Sequence, residues 1–505
     1  MAEIVLTADR TNMSNHHNSE FLGFGTCIPP YLLTTGIYKK IFFPPVKAVD
    51  GIPMMAPYSL RKVEAKLLDL GFDVKVVDPD HLKEHLEGTR IIGISVMDPF
   101  GWGPASSTFE TVLKKGDVFA SRFFKELLQR EEIKEAKRDG AKLIVGGPGT
   151  WQFEYKRDFV KDNGVDCVFM GEAEKDLKCV FERALNGDDL PRFFDAYKSP
   201  APTLEEISDI KHASINGLVE VGRGCPRGCP FCSVTLRRLR WYPYEKIERE
   251  LEVNNREGVD FGIIHAEDVL LYGVNGVKPD VEKLEKLFDL FAKHYKRVSW
   301  SHASIAAIAS EPKAIAAANE ILLRRQDWFG VEIGIETGSP SLIERSMPAK
   351  TKPFDPKDWQ EVVYQALSSL HDNSIVPACT LIIGLPGERE EDVIKTIELM
   401  DIVKDCRSLI VPLFFVPMGR LKNEDWFGAD ELSDIQIELL KKCLTHSIRW
   451  SKKAARGYNK GHLYSPLLNT TLVGFIDLIE LIAKRKKLLI ESPPPGPGYF
   501  KTKSV

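Results

Sequence analysis

Three cysteines within eight positions, Cys225, Cys229 and Cys232, are the side chains of this sequence best suited to chemistry, in a C-x3-C-x2-C spacing inside GLVEVGRGCPRGCPFCSV. Thiolates are the soft ligands that iron–sulfur clusters take, and the intervening Gly and Pro bend a loop around such a group. Three thiolates on a four-iron cluster leave one iron without a protein ligand, and an open position marks catalytic metal sites. A zinc site would need a fourth Cys or His at regular spacing, but the next candidate, His265, lies 33 positions on.

The elements that must position this loop are alternating strands and helices. Short β-branched runs at Glu3–Thr7, Val74–Val77, Ile91–Val96, Lys142–Val145 and Cys167–Met170 read as strands, with helical spacing at Leu60–Leu70 and Ala120–Leu128 between them. Such alternation predicts a parallel sheet, here a Rossmann-like domain over residues 1–200. The Pro- and charge-rich stretch Asp188–Glu206 is the best linker candidate, and the boundary is set at 201–214. Strands then resume near Gly217–Val221, Phe261–His265, Arg297–Ser301, Val331–Ile335, Thr380–Ile383 and Leu409–Phe415. Helices at Tyr244–Glu257, Val281–Tyr295 and Glu390–Val403 separate them, so residues 215–420 suit a partial (β/α)6 barrel. From 421 to 505 the pattern is helical, with amphipathic runs at Asp434–Ala455 and Thr471–Lys487 and a Pro/Gly-rich tail. The expected fold class is α/β.

Composition narrows the partners. A formal net charge of −4 over 505 residues gives no electrostatic reason to expect nucleic acid or an anionic membrane. The N-terminus lacks the basic and apolar regions of a secretory signal, and the apolar stretch Leu472–Ala483 is interrupted by Asp477 and Glu480. A soluble, cytoplasmic protein is expected. The nine cysteines, an odd number, argue against a disulfide framework.

The triplet, with Phe231 just before its last cysteine and a strand just before its first, resembles the radical SAM superfamily. The resemblance implies a [4Fe–4S] cluster on Cys225, Cys229 and Cys232 whose open iron binds S-adenosylmethionine (SAM) and cleaves it to a 5′-deoxyadenosyl radical. FGIIHAEDVLLYG would then offer Glu267 or Asp268 to the SAM ammonium. VEIGIETGSPSLIERSMPAK resembles the family's fourth-strand segment, which implies SAM contacts from Glu336 and Ser339. LIIGLPGERE resembles the fifth, where Gly384, Leu385, Pro386 and Gly387 would let the backbone approach the adenine.

A doubly wound domain ahead of such a barrel is the arrangement of the cobalamin-binding subgroup, and three loops after strands match it. Ser95, Met97, Asp98, Pro99, Ser106, Ser107 and Thr108 in the first, Gly146, Gly147, Pro148 and Gly149 in the second, and Gly171 and Glu172 in the third are the implied cobalamin contacts. The D-x-H-x-x-G signature is absent, because Pro79 stands where it needs Asp, so no histidine on cobalt is expected.

The chain is therefore identified with the cobalamin-dependent radical SAM methyltransferases, and is most similar to archaeal proteins of methanogens. The resemblance implies C-methylation of an unactivated carbon, with a protein or peptide substrate and an electron donor such as ferredoxin or flavodoxin. Within that group the expected target is a glutamine of methyl-coenzyme M reductase, in its alpha subunit, although no residue pattern specifies glutamine. Methylation of another peptide residue, such as arginine, stays open, as does a radical SAM cyclase or rearrangement enzyme, with or without cobalamin. A methylthiotransferase would need a second cluster, and the six other cysteines have no close spacing for one.

Overall fold

A computed structural model describes residues 2–18, 20–30, 34–113, 116–457 and 465–485. The Pro/Gly-rich tail and the last two residues of the expected C-terminal helix, Lys486 and Lys487, lie outside the described residues. The chain divides into two compact units. The first comprises Met1–Cys225, Leu236–Ala266 and Leu287–Ser299; the second comprises Pro226–Thr235, Glu267–Lys286 and Trp300–Val505.

In the first unit six strands form one parallel sheet: β1 (Ile4–Ala8), β2 (Val74–Val76), β3 (Ile91–Ser95), β4 (Lys142–Gly146), β5 (Cys167–Met170) and β6 (Phe193–Asp195), in the order β2-β1-β3-β4-β5-β6. Alternation along the strands feeds two cores. Val5, Ile92 and Ile94 pack with Phe124 and Leu127 of helix α1 (Phe119–Leu128) on one face. Ile4, Leu6 and Ile91 pack with Leu60, Leu67, Val180 and Phe181 on the other. A sheet covered on both faces has near-continuous apolar strands, which is why short β-branched runs located five of the six. The sixth, β6, lies inside the stretch expected to be a linker. Its Phe194 stacks on Phe169 at 4.9 Å, so two aromatics outweigh the charged residues around them. Reversal of strand order between β1 and β3 makes the carboxyl ends of those two strands the switch point where doubly wound sheets take ligands.

A three-stranded sheet follows, of β7 (Leu218–Glu220), β8 (Phe261–His265) and β9 (Arg297–Trp300), in the order β9-β8-β7 with β7 and β8 parallel; all but Trp300 belong to the first unit. The second unit holds a parallel four-stranded sheet of β10 (His302–Ser304), β11 (Phe329–Glu336), β12 (Ile375–Ile383) and β13 (Leu409–Phe414), in that order. The six strands expected after residue 215 are all present; among the described residues β10, directly after β9, is an addition, as are the two-residue antiparallel strands Gly222–Arg223 and Arg240–Trp241. The two C-terminal helices, Asp434–Gly457 and Ser465–Arg485, are present as well, the second beginning six residues before its expected start. Among the described residues no helix is long and apolar enough to cross a membrane.

Candidate active site around the cysteine loop

Cys229 and Cys232 lie on a tight turn of the second unit. The Cys232 N–H donates to the Cys229 carbonyl at 3.1 Å, and the Thr235 hydroxyl donates to the Cys232 carbonyl at 2.8 Å. Gly419, at φ +59°, lets a second loop press on this turn. A Cβ there would fall 2.6 Å from the Cys232 carbonyl oxygen, and the neighbouring Arg420 N–H donates to the Pro230 carbonyl at 2.8 Å. Cys225, Cys229, Cys232 and Phe231 are half-buried. Burial pushes the Cys229 thiol up against the opposing pull of Lys350 and Arg227, and pushes Cys232 up to about 11. A bound cation would have to supply the charge that keeps them as thiolates. Among the described residues no three Cys, His, Asp or Glu side chains converge on one metal position. A four-iron cluster does not require that, because each thiolate takes a different iron.

Charged side chains of the second unit gather around the same turn. Glu336 ends β11 where its pairing with β12 slips, and it adopts φ +67°, a left-handed conformation that is costly for a residue with a Cβ. It is buried and accepts from Lys350 Nζ at 3.0 Å and from the Thr380 hydroxyl at 3.3 Å. The loop after it is pinned: the indole N–H of fully buried Trp359 donates to the Thr337 carbonyl at 2.8 Å, and the Gly338 N–H donates to the Thr396 hydroxyl at 2.9 Å. Backbone strain held this firmly clusters at functional sites. Asp268 is buried beside Arg227 and accepts from the Ser304 hydroxyl at 2.5 Å, while Glu267 is half-buried and its charge acts on Cys232.

Not every residue singled out from the sequence is open to a ligand. The Ser339 hydroxyl caps the helix Pro340–Ser346 by accepting from the Leu342 N–H at 3.2 Å, and donates to Asp392 at 2.5 Å. Gly384, at φ +79°, has the Phe427 ring where a Cβ would be, and its N–H donates to Glu388 at 2.9 Å; Leu385 is buried.

In the first unit the loop after β5 is held by a buried charge network. Arg223 Nε donates to both carboxylate oxygens of Glu220 at 2.9 Å, and its Nη1 lies 3.1 Å from Glu172 and 2.7 Å from Glu174. Arg240 Nη2 donates to the same Glu172 oxygen at 2.5 Å, and the Tyr242 hydroxyl donates to Glu220 at 2.6 Å. Burial disfavours the Glu220 charge, but Arg223, Lys62, the Tyr242 hydrogen bond and His265 reverse that and bring its pKa down to about 2. Glu172, expected as a cofactor contact, is thus engaged by two guanidiniums.

The loops after β3 and β4 pack on each other. Asp98 Oδ1 accepts from the N–H groups of Trp102 and Gly103 at 2.8 and 2.9 Å and from Gln152 at 2.6 Å. A Cβ on Gly147 would fall 2.6 Å from the Val96 carbonyl and one on Gly149 2.4 Å from that of Met97, so these glycines serve loop-to-loop contact. The Thr108 hydroxyl returns to the Pro104 carbonyl, whereas the buried Ser106 hydroxyl has no hydrogen-bond partner. Met97 after β3, Tyr155 after β4 and Tyr197 after β6 are 58%, 47% and 50% exposed, each on a connection that follows the carboxyl end of a strand. The loop after β1 also lies at the switch point. There Arg10 bonds Asp78 at 2.5 Å and Asp80 at 2.7 Å, and His16, His17 and Asn18 all have positive φ.

Residues 219–400 match the Radical SAM superfamily, so the chain carries a radical SAM domain, a type that takes a [4Fe–4S] cluster and SAM. Among solved structures, the fold matches the radical SAM methyltransferase TsrM from Kitasatospora setae with a TM-score of 0.54 and 14% identity, over 88% of this chain and 77% of that one. TsrM has been solved with tryptophan and a SAM analogue bound; a second TsrM structure, covering 88% of this chain and 76% of its own, has cobalamin and a [4Fe–4S] cluster. At that identity the likeness is one of fold. Among curated relatives, an uncharacterized protein of Methanocaldococcus jannaschii is 24% identical over 42% of this chain and 64% of its own. A tRNA-2-methylthio-N(6)-dimethylallyladenosine synthase of Thermotoga petrophila is 24% identical over 55% and 59%. The ribosomal protein uS12 methylthiotransferase RimO of Petrotoga mobilis is 28% identical over 52% and 55%. The chain spans less than two thirds of each of these relatives.

Proposed function

We propose that this radical SAM protein is a cobalamin-dependent C-methyltransferase that acts on an unactivated sp3 carbon of a protein or peptide. The observation that supports this reading most directly is the fold likeness to TsrM, which extends over 88% of the chain. Cys225, Cys229 and Cys232 would hold the cluster, and the strained Glu336 with Glu267 would hold the SAM amino group. Lys350, paired with Glu336, would stand near the SAM carboxylate, and the backbone at Pro386 and Gly387, where a Cβ on Gly387 would meet nothing within 4 Å, would face the adenine. When bound, the cluster would supply the single electron that cleaves SAM, and cobalamin would supply the methyl group for carbon.

Cobalamin is a flat macrocycle with an amide rim, and the carboxyl edge of the first sheet fits it on two counts. Met97, Tyr155 and Tyr197 offer an apolar surface, and the buried Ser106 hydroxyl lacks a partner that an amide could supply. For the substrate, the resemblance to methanogen proteins favours a glutamine of methyl-coenzyme M reductase, with a ferredoxin or flavodoxin as electron donor.

Methylthio transfer is the second reading, favoured by the activities named for two relatives. It needs further thiols for another cluster, whereas Cys167, Cys379, Cys406 and Cys443 are buried and their thiols are pushed up by burial. Anaerobic reconstitution with iron, sulfide and cobalamin, followed by SAM, a reductant and a glutamine-containing peptide of the reductase, separates the readings by product. A methyl gain on the peptide with both deoxyadenosine and S-adenosylhomocysteine formed is expected. A methylthio gain favours the second reading, and deoxyadenosine without methyl transfer points to rearrangement chemistry.

A further inference from the structure

Arg227 lies between the first two cysteines of the loop, and its side chain is 4% exposed. A buried guanidinium needs acceptors or anions on most of its five N–H groups. Nη1 has them, donating to the backbone carbonyls of Lys350 at 3.1 Å and Lys352 at 2.9 Å. Nε stands 3.6 Å from Asp268 Oδ2, beyond hydrogen-bond distance, and both Nε and Nη2 lack a hydrogen-bond partner. Asp268 Oδ1 is equally without one. An arginine held by two carbonyls with N–H groups to spare is costly unless an anion completes it. Around the turn the buried fixed charges are Arg227 and Lys350 against Asp268 and Glu336, a balanced set to which thiolates and a cluster add negative charge.

We propose that Arg227 is a positioning residue that sets the reduction potential of the cluster in this loop, with Asp268 as its opposing counter-charge. The inference rests on reading the loop as a cluster site. A cluster on three thiolates is anionic and gains one further negative charge when it accepts one electron. A desolvated guanidinium within the loop therefore favours the reduced form, and a buried carboxylate beside it disfavours that form. Through its two carbonyl bonds Arg227 also ties the cysteine turn to the segment that presents Lys350 to Glu336.

The test uses the full chain, reconstituted anaerobically, as wild type, Arg227→Gln, Arg227→Lys and Asp268→Asn. Iron and sulfide are counted first. A dye-mediated titration without SAM, in which the reductant gives one electron per cluster, is then followed by electron paramagnetic resonance. Arg227→Gln is expected to lower the ratio of reduced to oxidised cluster at the wild-type midpoint roughly tenfold, a shift of about 59 mV to more negative potential. Arg227→Lys keeps the charge and should stay within about threefold of wild type, while Asp268→Asn should shift in the positive direction. An iron-loaded Arg227→Gln protein with an unchanged midpoint overturns the inference, as do shifts of the same sign in Arg227→Gln and Asp268→Asn, the pattern of a merely loosened loop. Should Arg227→Gln fail to load iron, Asp268→Asn decides, since a zero or negative shift there is equally fatal. A wild-type protein that takes up no iron removes the cluster reading itself, a result distinct from any of these.

Discussion

Replacing Arg223 with Met would strip the cation from three buried carboxylates at once. Glu220, Glu172 and Glu174 lie within 3.1 Å of its nitrogens, and the four side chains are between 8% and 13% exposed. Arg240 stays with Glu172, but Glu220 and Glu174 lose their nearest cation. Breaking a buried ion pair from one side costs about 3–5 kcal/mol, because the remaining charge is left desolvated. For a body of this size that corresponds to a fall in Tm of roughly 6–20 °C. The pH dependence follows from Glu220, whose carboxyl is held at about 2 against an ordinary 4.5. A depressed carboxylate contributes stability above its unfolded value and loses it as the pH falls toward the folded one, here up to ~3 kcal/mol between pH 4.5 and 2. In Arg223→Met, Glu220 takes up a proton at a higher pH, so the gap to wild type is full at pH 7 and narrows on acidification. Urea unfolding of both proteins at pH 7 and pH 4, with Arg223→Met/Glu220→Gln as a third, measures this. The double variant should recover more than 1 kcal/mol of the loss at pH 7. A pH 7 gap below about 1 kcal/mol, or one that widens at pH 4, would refute the argument.

Three further outcomes are expected. Gly419→Ala places a methyl 2.6 Å from the Cys232 carbonyl at a φ of +59°, so the cysteine turn must shift, and iron bound per chain after reconstitution should fall well below wild type. Cys229→Ser/Cys232→Ser should abolish iron uptake and deoxyadenosine formation while leaving the far-ultraviolet circular dichroism unchanged, since both side chains are only half-buried in a loop. His446, hydrogen-bonded to the Ser408 hydroxyl at 2.9 Å, is brought down to about 4 by burial. Its folded value lies below its unfolded one, so wild-type stability should fall by up to ~3 kcal/mol as pH drops from 6.5 to 4, and His446→Gln should flatten that slope in denaturant midpoints.

The sequence was legible wherever a signal is local. Strands buried on both faces announce themselves as β-branched runs, and the cysteine turn is a contiguous stretch whose residue types carry its chemistry. Legibility failed first where a short strand is stabilised by its neighbours in the sheet. Phe193–Asp195 reads as linker because Pro and charge surround it, and Phe169, on which Phe194 stacks, stands 25 positions away in sequence. His302–Ser304 was missed for the same reason, being three residues whose hydrogen bonds run to β11.

The harder failures concern polar residues, whose availability to a ligand depends on what arrives from elsewhere in the chain. Glu172 and Glu336 look alike in sequence, each an acid just after an apolar run. Glu172 meets Arg223 and Arg240, which sit 51 and 68 positions further on, and its charge is consumed within the fold. Glu336 meets a single lysine and a hydroxyl, and it is held in a left-handed conformation that no packing requirement of an acid explains. Ser339 is spent on a helix cap, and one oxygen of Asp268 is taken by a serine while the other has no hydrogen-bond partner. Strain and unmet hydrogen bonds are therefore the better guides to function here. In the second unit the two meet around the cysteine turn, where Glu336 carries strain and Arg227 carries unmet donors, joined through the backbone and side chain of Lys350.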